Sequence, residues 1–72
     1  MAKVHIRNHV RQLRQERGIT QSDLARNSGC TRQTIIMLEQ ERYVPSLSLA
    51  FAVTRSLGVT LEEVFEPEDS AD

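Results

Sequence analysis

TQSDLARNSGCTRQTIIMLEQ, residues 20–40, holds two helix starts and one helix stop in a single short run. Thr20 offers a hydroxyl that can cap a helix, Asp23 follows three positions later, and Leu24 and Ala25 form the buried side of a short helix reaching Ser28. Gly29 ends that helix. Two residues on, Thr31 can cap the next helix, Arg32 to about Gln40, whose buried stripe is Ile35 and Leu38. The connection is so tight that the helices must pack closely, which the small Ala25 permits, while Gly29 supplies the turn.

Upstream, Ile6, Val10 and Leu13 recur at helical spacing, with Arg7, Arg11, Gln12, Arg14 and Gln15 on the other faces, so an amphipathic helix is expected from Ile6 to about Arg17, stopped by Gly18. Downstream, Pro45 punctuates the chain, and Ser46 or Ser48 caps a helix through Leu49, Ala50, Val53 and Leu57 that Gly58 ends. Thr60 opens a final short helix with Glu62 and Glu63 in its first turn, where the helix dipole favours anions, and with Leu61, Val64 and Phe65 facing inward. Pro67 is expected to end ordered structure and Glu68 to Asp72 to fray. No segment alternates with period two for more than a few residues, so the expected fold class is all-α, five helices without a sheet.

The chain has 72 residues, room for one domain with one modest core and none for a cleft between domains. The expected organisation is a domain over residues 1–66 and a short acidic C-terminal tail over 67–72. A charged fraction of 26% beside 39% hydrophobic residues suits a globular chain, not a disordered one. No apolar run approaches the roughly 20 residues of a membrane span, and the opening residues are too polar for a signal peptide, so no membrane association and a cytoplasmic location are expected. The lone Cys30 agrees with a reducing compartment.

Net charge is −1, which at first argues against a polyanionic partner, but the distribution reverses that. Residues 1–61 carry nine basic and four acidic side chains; residues 62–72 carry six acidic and no basic ones. A basic body with an acidic end suits a domain that meets phosphate with its body. Two short helices joined by a glycine turn, the second opening with polar side chains, form a helix-turn-helix arrangement, whose second helix is suited to the major groove of DNA.

Residues 6–66 resemble the lambda-repressor-like, Cro-type domains of the xenobiotic-response-element (XRE) family. The resemblance is carried, in order, by Arg14, Gly18, Thr20-Gln21, Leu24-Ala25, Gly29, Thr31-Arg32-Gln33-Thr34-Ile35, Glu39, Pro45-Ser46, Leu57-Gly58-Val59 and Phe65. It implies a five-helix lambda-repressor-like fold and a prokaryotic transcriptional regulator that binds double-stranded DNA as a homodimer on an inverted repeat, repression being the expected outcome. Under this resemblance Arg32 and Gln33 read base edges, arginine pairing with guanine and glutamine with adenine, while Ile36 and Met37 reach thymine methyls. Gln21, Thr31, Thr34, Gln40, Arg42 and Tyr43 contact the DNA backbone. One of Arg7, Arg11 and Arg17 adds a phosphate contact. Arg14 and Glu39 form a structural ion pair between the first and third helices. Where the family commonly has Asn-Gly after that glutamate, this chain has Gln40-Glu41, so either Glu41 is strained or the loop takes another path.

Several simpler readings stand beside these. Phe51, Val53, Leu57, Leu61, Val64 and Phe65 exceed what a small core needs, which makes Leu61, Val64 and Phe65 dimer-interface candidates. His5 and His9 are too few to hold a metal, so no metal and no cofactor are expected. Cys30 reads as an inert thiol filling the turn. No nucleophile with a base, metal cluster or phosphate loop is legible, which argues against an enzyme. A partner protein, as for an antitoxin or adaptor, is the rival to DNA as principal ligand.

Overall fold

The computed structural model describes residues 4–69; Met1 to Lys3 of the expected domain and Ser70 to Asp72 of the expected tail lie outside the described residues. Strand β1 (Val4–Asn8) leads into helices α1 (Val10–Glu16), α2 (Gln21–Ser28), α3 (Arg32–Glu39), α4 (Leu47–Leu57) and α5 (Leu61–Val64), and strand β2 (Phe65–Asp69) closes the chain. No helix among the described residues is long and apolar enough to cross a membrane.

Four helices begin where a hydroxyl can cap them. Thr20, Thr31, Ser46 and Thr60 each accept a hydrogen bond from the backbone N–H three residues ahead, and Glu63 bonds back to Thr60 to complete a capping box. The helices meet in a core of Val10, Leu24, Ala25, Ile35, Leu38, Val53, Leu57 and Val64. Thr54, also buried, donates its hydroxyl to Phe51 O at 2.9 Å, and no buried side-chain polar atom among the described residues lacks a partner.

The expectation of an all-α fold is corrected by a two-stranded antiparallel ribbon in which Ile6 pairs with Pro67 and Arg7 with Glu66. The first helix accordingly starts at Val10 and not at Ile6, and Pro67, expected to end order, lies inside β2. Both strands are edges, so proline's missing N–H need not break a ladder. Ile6 and Val10 are spaced for a helix, but Ile6 and Asn8 are half-buried while His5 and Arg7 face out, the two-residue period of a strand.

The ribbon also gives the acidic end a partner. Arg7 Nη1 donates to Glu68 Oε2 at 3.0 Å, and His9 Nε2 pairs with Glu66 Oε2. Such exposed pairs contribute little to stability, yet the first takes Arg7 out of the pool of free cations.

Because Leu24 is fully buried, Leu24→Ala is expected to lower the unfolding free energy by about 2–5 kcal/mol, while Arg55→Ala at an exposed site changes it by less than about 0.5 kcal/mol. Urea denaturation followed by circular dichroism measures both.

Candidate nucleic-acid interface

A buried ion pair sets the orientation of α3. Arg14 of α1 reaches Glu39 of α3 through Nε–Oε2 at 2.7 Å and Nη2–Oε1 at 3.3 Å, with the two side chains 12% and 4% exposed. Arg14 Nη1 also donates to Ile19 O at 2.9 Å, and Gln21 Nε2 donates to Glu39 Oε1 at 3.1 Å. A forked guanidinium can make three of these bonds at once because its donors are fixed in one plane. Gln21 at the start of α2 is thereby fastened to α3, so one network joins α1, α2 and α3.

Arg32 and Gln33 lie exposed on the first turn of α3; Met37 is exposed one turn on and Ile36 beside it is half-buried. The Thr31 hydroxyl is occupied as the α3 cap, accepting from Thr34 N at 3.1 Å and lying 2.9 Å from Thr34 Oγ1. Gln40, Arg42 and Tyr43 are exposed beyond the helix.

Between α1, α2 and α3 lies an open polar notch of about 700 Å³ bordered by Arg11, Thr20, Gln21, Ser22, Arg32 and Gln40. The three arginines left open as phosphate contacts separate here. Arg7 pairs with Glu68, Arg17 donates to Leu57 O at 2.7 Å and Leu13 O at 3.1 Å, and Arg11 borders the notch with no side-chain partner among the described residues. Sequence reasoning did not choose Arg11 over its neighbours and missed Ser22. Arg11 does sit three residues before Arg14, on the adjoining part of the same helix face, which is the signal it offered.

The last turn of α3 ends with Glu41 at φ 60°, the one non-glycine residue with positive φ among the described residues. Glu41 N donates to Leu38 O and Arg42 N to Met37 O, both at 3.0 Å, the double closure that normally uses glycine. Of the two alternatives for Glu41, the strained residue is the one observed, at a cost of about 1 kcal/mol relative to glycine. Its carboxylate turns to the ribbon, accepting from Asn8 N at 3.0 Å and lying 3.5 Å from His5 Nε2. The Asn8 amide holds the Glu41 carboxyl below the usual carboxylate range, helped by His5 and Arg7. A depressed carboxyl contributes its stability above the ordinary carboxylate range and loses it as pH falls through the lowered value.

The dimer candidates divide. Val64 is fully buried in the chain's own core and has no surface to offer, whereas Leu61 and Phe65 line an open apolar groove of about 230 Å³ with Ile6, Val44, Pro45 and Leu47. Val44, Leu47 and Phe51 are exposed, Val44 and Leu47 at 66% each. Burial raises the Cys30 thiol pKa, which suits a filling role over a reactive one. No group of three or more potential metal ligands is assembled among the described residues.

Two capped helices at a glycine turn, with α3 braced from behind and polar at its front, define a helix-turn-helix domain. The helix-turn-helix family model matches residues 10–64. A regulator of the HTH type from Methanothermobacter thermautotrophicus is 49% identical over 61 residues, 83% of this chain and 88% of that protein. One from Methanocaldococcus jannaschii is 42% identical over 64 residues, 89% of this chain and 97% of that protein. The immunity repressor of Bacillus phage phi105 is 34% identical over 59 residues, but the match spans only 41% of its length. Among solved structures, the clp gene regulator ClgR from Corynebacterium glutamicum superposes with TM-score 0.72 at 28% identity, covering 75% of this chain and 57% of that one. The chain belongs to the XRE-like helix-turn-helix family and is a DNA-binding transcription regulator.

Glu39→Ala strands Arg14 partly buried without its partner and is expected to cost about 3–5 kcal/mol, whereas the double variant Arg14→Met, Glu39→Leu regains most of that stability. Chemical denaturation of the two variants checks the difference.

Proposed function

We propose that this protein is a homodimeric repressor that inserts residues 32–40 into the major groove on each half of an inverted repeat. The observation that carries the reading is the sorting of its arginines: Arg7, Arg14, Arg17 and Arg26 are engaged within the chain, and of the four without a side-chain partner among the described residues three, Arg11, Arg32 and Arg42, stand on or beside α3, the fourth being Arg55 of α4. Arg32 and Gln33 read base edges, with Met37 and the flank of Ile36 against thymine methyls. Gln21, Thr31, Thr34, Gln40, Arg42 and Tyr43 hold the DNA backbone, joined by Arg11 from the notch. Because the Thr31 hydroxyl caps α3, its phosphate contact uses the free backbone N–H groups of the helix start.

The second copy docks on the apolar groove, so Leu61, Phe65 and the exposed Leu47, all of which line it, serve the interface. Half-sites then lie about one helical turn, ~34–36 Å, apart. The likeness to a phage immunity repressor supports repression, and the regulator acts in the cytoplasm, where its operator lies. The same exposed apolar surface favours one rival, a partner protein of different sequence as the occupant of the groove.

Selection from random duplex DNA is expected to enrich an inverted repeat. Arg32→Ala loses a defined base preference worth about 1–3 kcal/mol, and Arg42→Ala weakens all sequences alike and reduces the salt slope by about 1. No enriched motif would move the reading to a protein partner. Sedimentation at micromolar concentration is expected to show a dimer that Leu47→Glu, at an already exposed position, converts to monomer; a wild-type monomer throughout would sink the homodimer.

A further inference from the structure

Glu41 holds a backbone conformation that glycine would hold without strain, and it does so while reaching across 33 residues of sequence to the amide of Asn8. Asn8 answers with both ends of its side chain. Its Nδ2 donates to Leu38 O at 2.8 Å, the carbonyl that also receives Glu41 N at the end of α3. Its Oδ1 accepts from Val10 N at 3.1 Å, covering the first turn of α1, where His9 makes no side-chain cap. The backbone on either side is fixed as well: Asn8 is the last residue of β1, paired with Phe65, and His9 N donates to Val64 O at 2.8 Å.

We propose that Glu41 and Asn8 form a clasp that positions the recognition helix for specific DNA. The inference rests on the reading of α3 as that helix. Helix α3 is then tied to two elements: Glu39 to Arg14 of α1, and Leu38, with Glu41 just past the helix end, to Asn8 of β1. The ion pair and the buried Ile35 and Leu38 already oppose roll of this short helix about its axis, and the Asn8 tie opposes it at the C-terminal end. Roll is the motion that would swing Arg32, Gln33 and Met37 out of register with base edges while leaving phosphate attraction almost unaltered. Glu41 also sets the direction of the chain into Arg42 and Tyr43. An anion beside a DNA-binding surface is electrostatically unfavourable, so its positioning role must outweigh that repulsion.

That opposition gives the test a sign. Glu41→Gly removes both the strain and a negative charge, so electrostatics alone predicts tighter binding to every DNA. The clasp predicts the reverse for specific DNA: affinity for the selected operator falls roughly five- to tenfold while affinity for random duplex stays level or rises. Glu41→Gln, which keeps an oxygen acceptor on the same stem, is expected to recover most of the operator affinity despite having lost the same charge. Fluorescence anisotropy on operator and random duplexes reads both variants. A Glu41→Gly protein with the wild-type ratio of operator to random affinity overturns the proposal, as does an equal loss on both DNAs. If the wild-type protein selects no operator, the DNA reading of α3 fails and the clasp is judged by amide exchange alone. Asn8 N–H should then exchange slowly in the wild type and at least about tenfold faster in Glu41→Gly, and equal rates would overturn it.

Discussion

Glu39 sets its carboxylate where the side chain is only 4% exposed, held there by the guanidinium of Arg14 with the Gln21 amide as a second donor. Removing both charges from water costs several kcal/mol per ion, so the pair adds little net stability over a well-packed apolar alternative. What it adds is direction. A leucine pair at the same place would permit α1 and α3 to slide and roll at little cost; a forked guanidinium facing a carboxylate at 2.7 and 3.3 Å fixes one arrangement. Gln21 and the Ile19 carbonyl complete the bonding and bring α2 into the same frame. The front of α3 is presented in one orientation because its back is held by a contact that tolerates few geometries.

The same constraint explains how a chain of net charge −1 can present a cationic face. Its cations are divided by partner and not by count. Arg14 is spent in the frame, Arg17 on helix-end carbonyls and Arg7 on Glu68 of the ribbon, while Arg11 and Arg32 border an open notch. Glu66 and Glu68, two of the six acidic residues that follow residue 61, face His9 and Arg7 across the ribbon, so they do not describe the field in front of α3. Within about 8–10 Å, the Debye length in physiological salt, this local arrangement matters more than the total.

The parts of the fold legible in sequence were those fixed by neighbours. Thr20, Thr31, Ser46 and Thr60 cap helices through the amide three residues ahead, and Gly18, Gly29 and Gly58 take the left-handed turns that follow α1, α2 and α4. The ribbon was not legible because β1 finds its partner at the other end of the chain, and Ile6, Val10 and Leu13 fit a helix as well as a strand followed by a helix. Hydropathy likewise gave Val64 and Leu61 equal standing, although one is wholly inside the core and the other lines an open groove. The candidate base-reading residues follow from their place on α3, a local property. The choice of Arg11 from three similar arginines depends on who occupies the other two, and those partners, Glu68 and Leu57 O, are far along the chain. For Glu41, the turn at the end of α3 was a legible demand, but the direction of its carboxylate depended on a strand that could not be foreseen.

The ribbon bears in turn on how two copies can meet. A two-stranded ribbon has both outer edges unpaired, and unpaired edges invite strand addition by another chain. Here Pro67 removes a donor from β2, and His5, Arg7, Glu66 and Glu68 place charge along both strands. Those features discourage a continuous sheet between copies. The groove lined by Ile6, Leu61 and Phe65 has the opposite character, with the exposed Val44 and Leu47 also lining it. Its Val44 and Pro45 belong to the segment that follows Arg42 and Tyr43, so a copy seated there would press on the chain leaving α3. Association through the groove would therefore act on the same segment whose course Glu41 sets, and in the proposed dimer would tie the spacing of the two α3 helices to the proposed clasp.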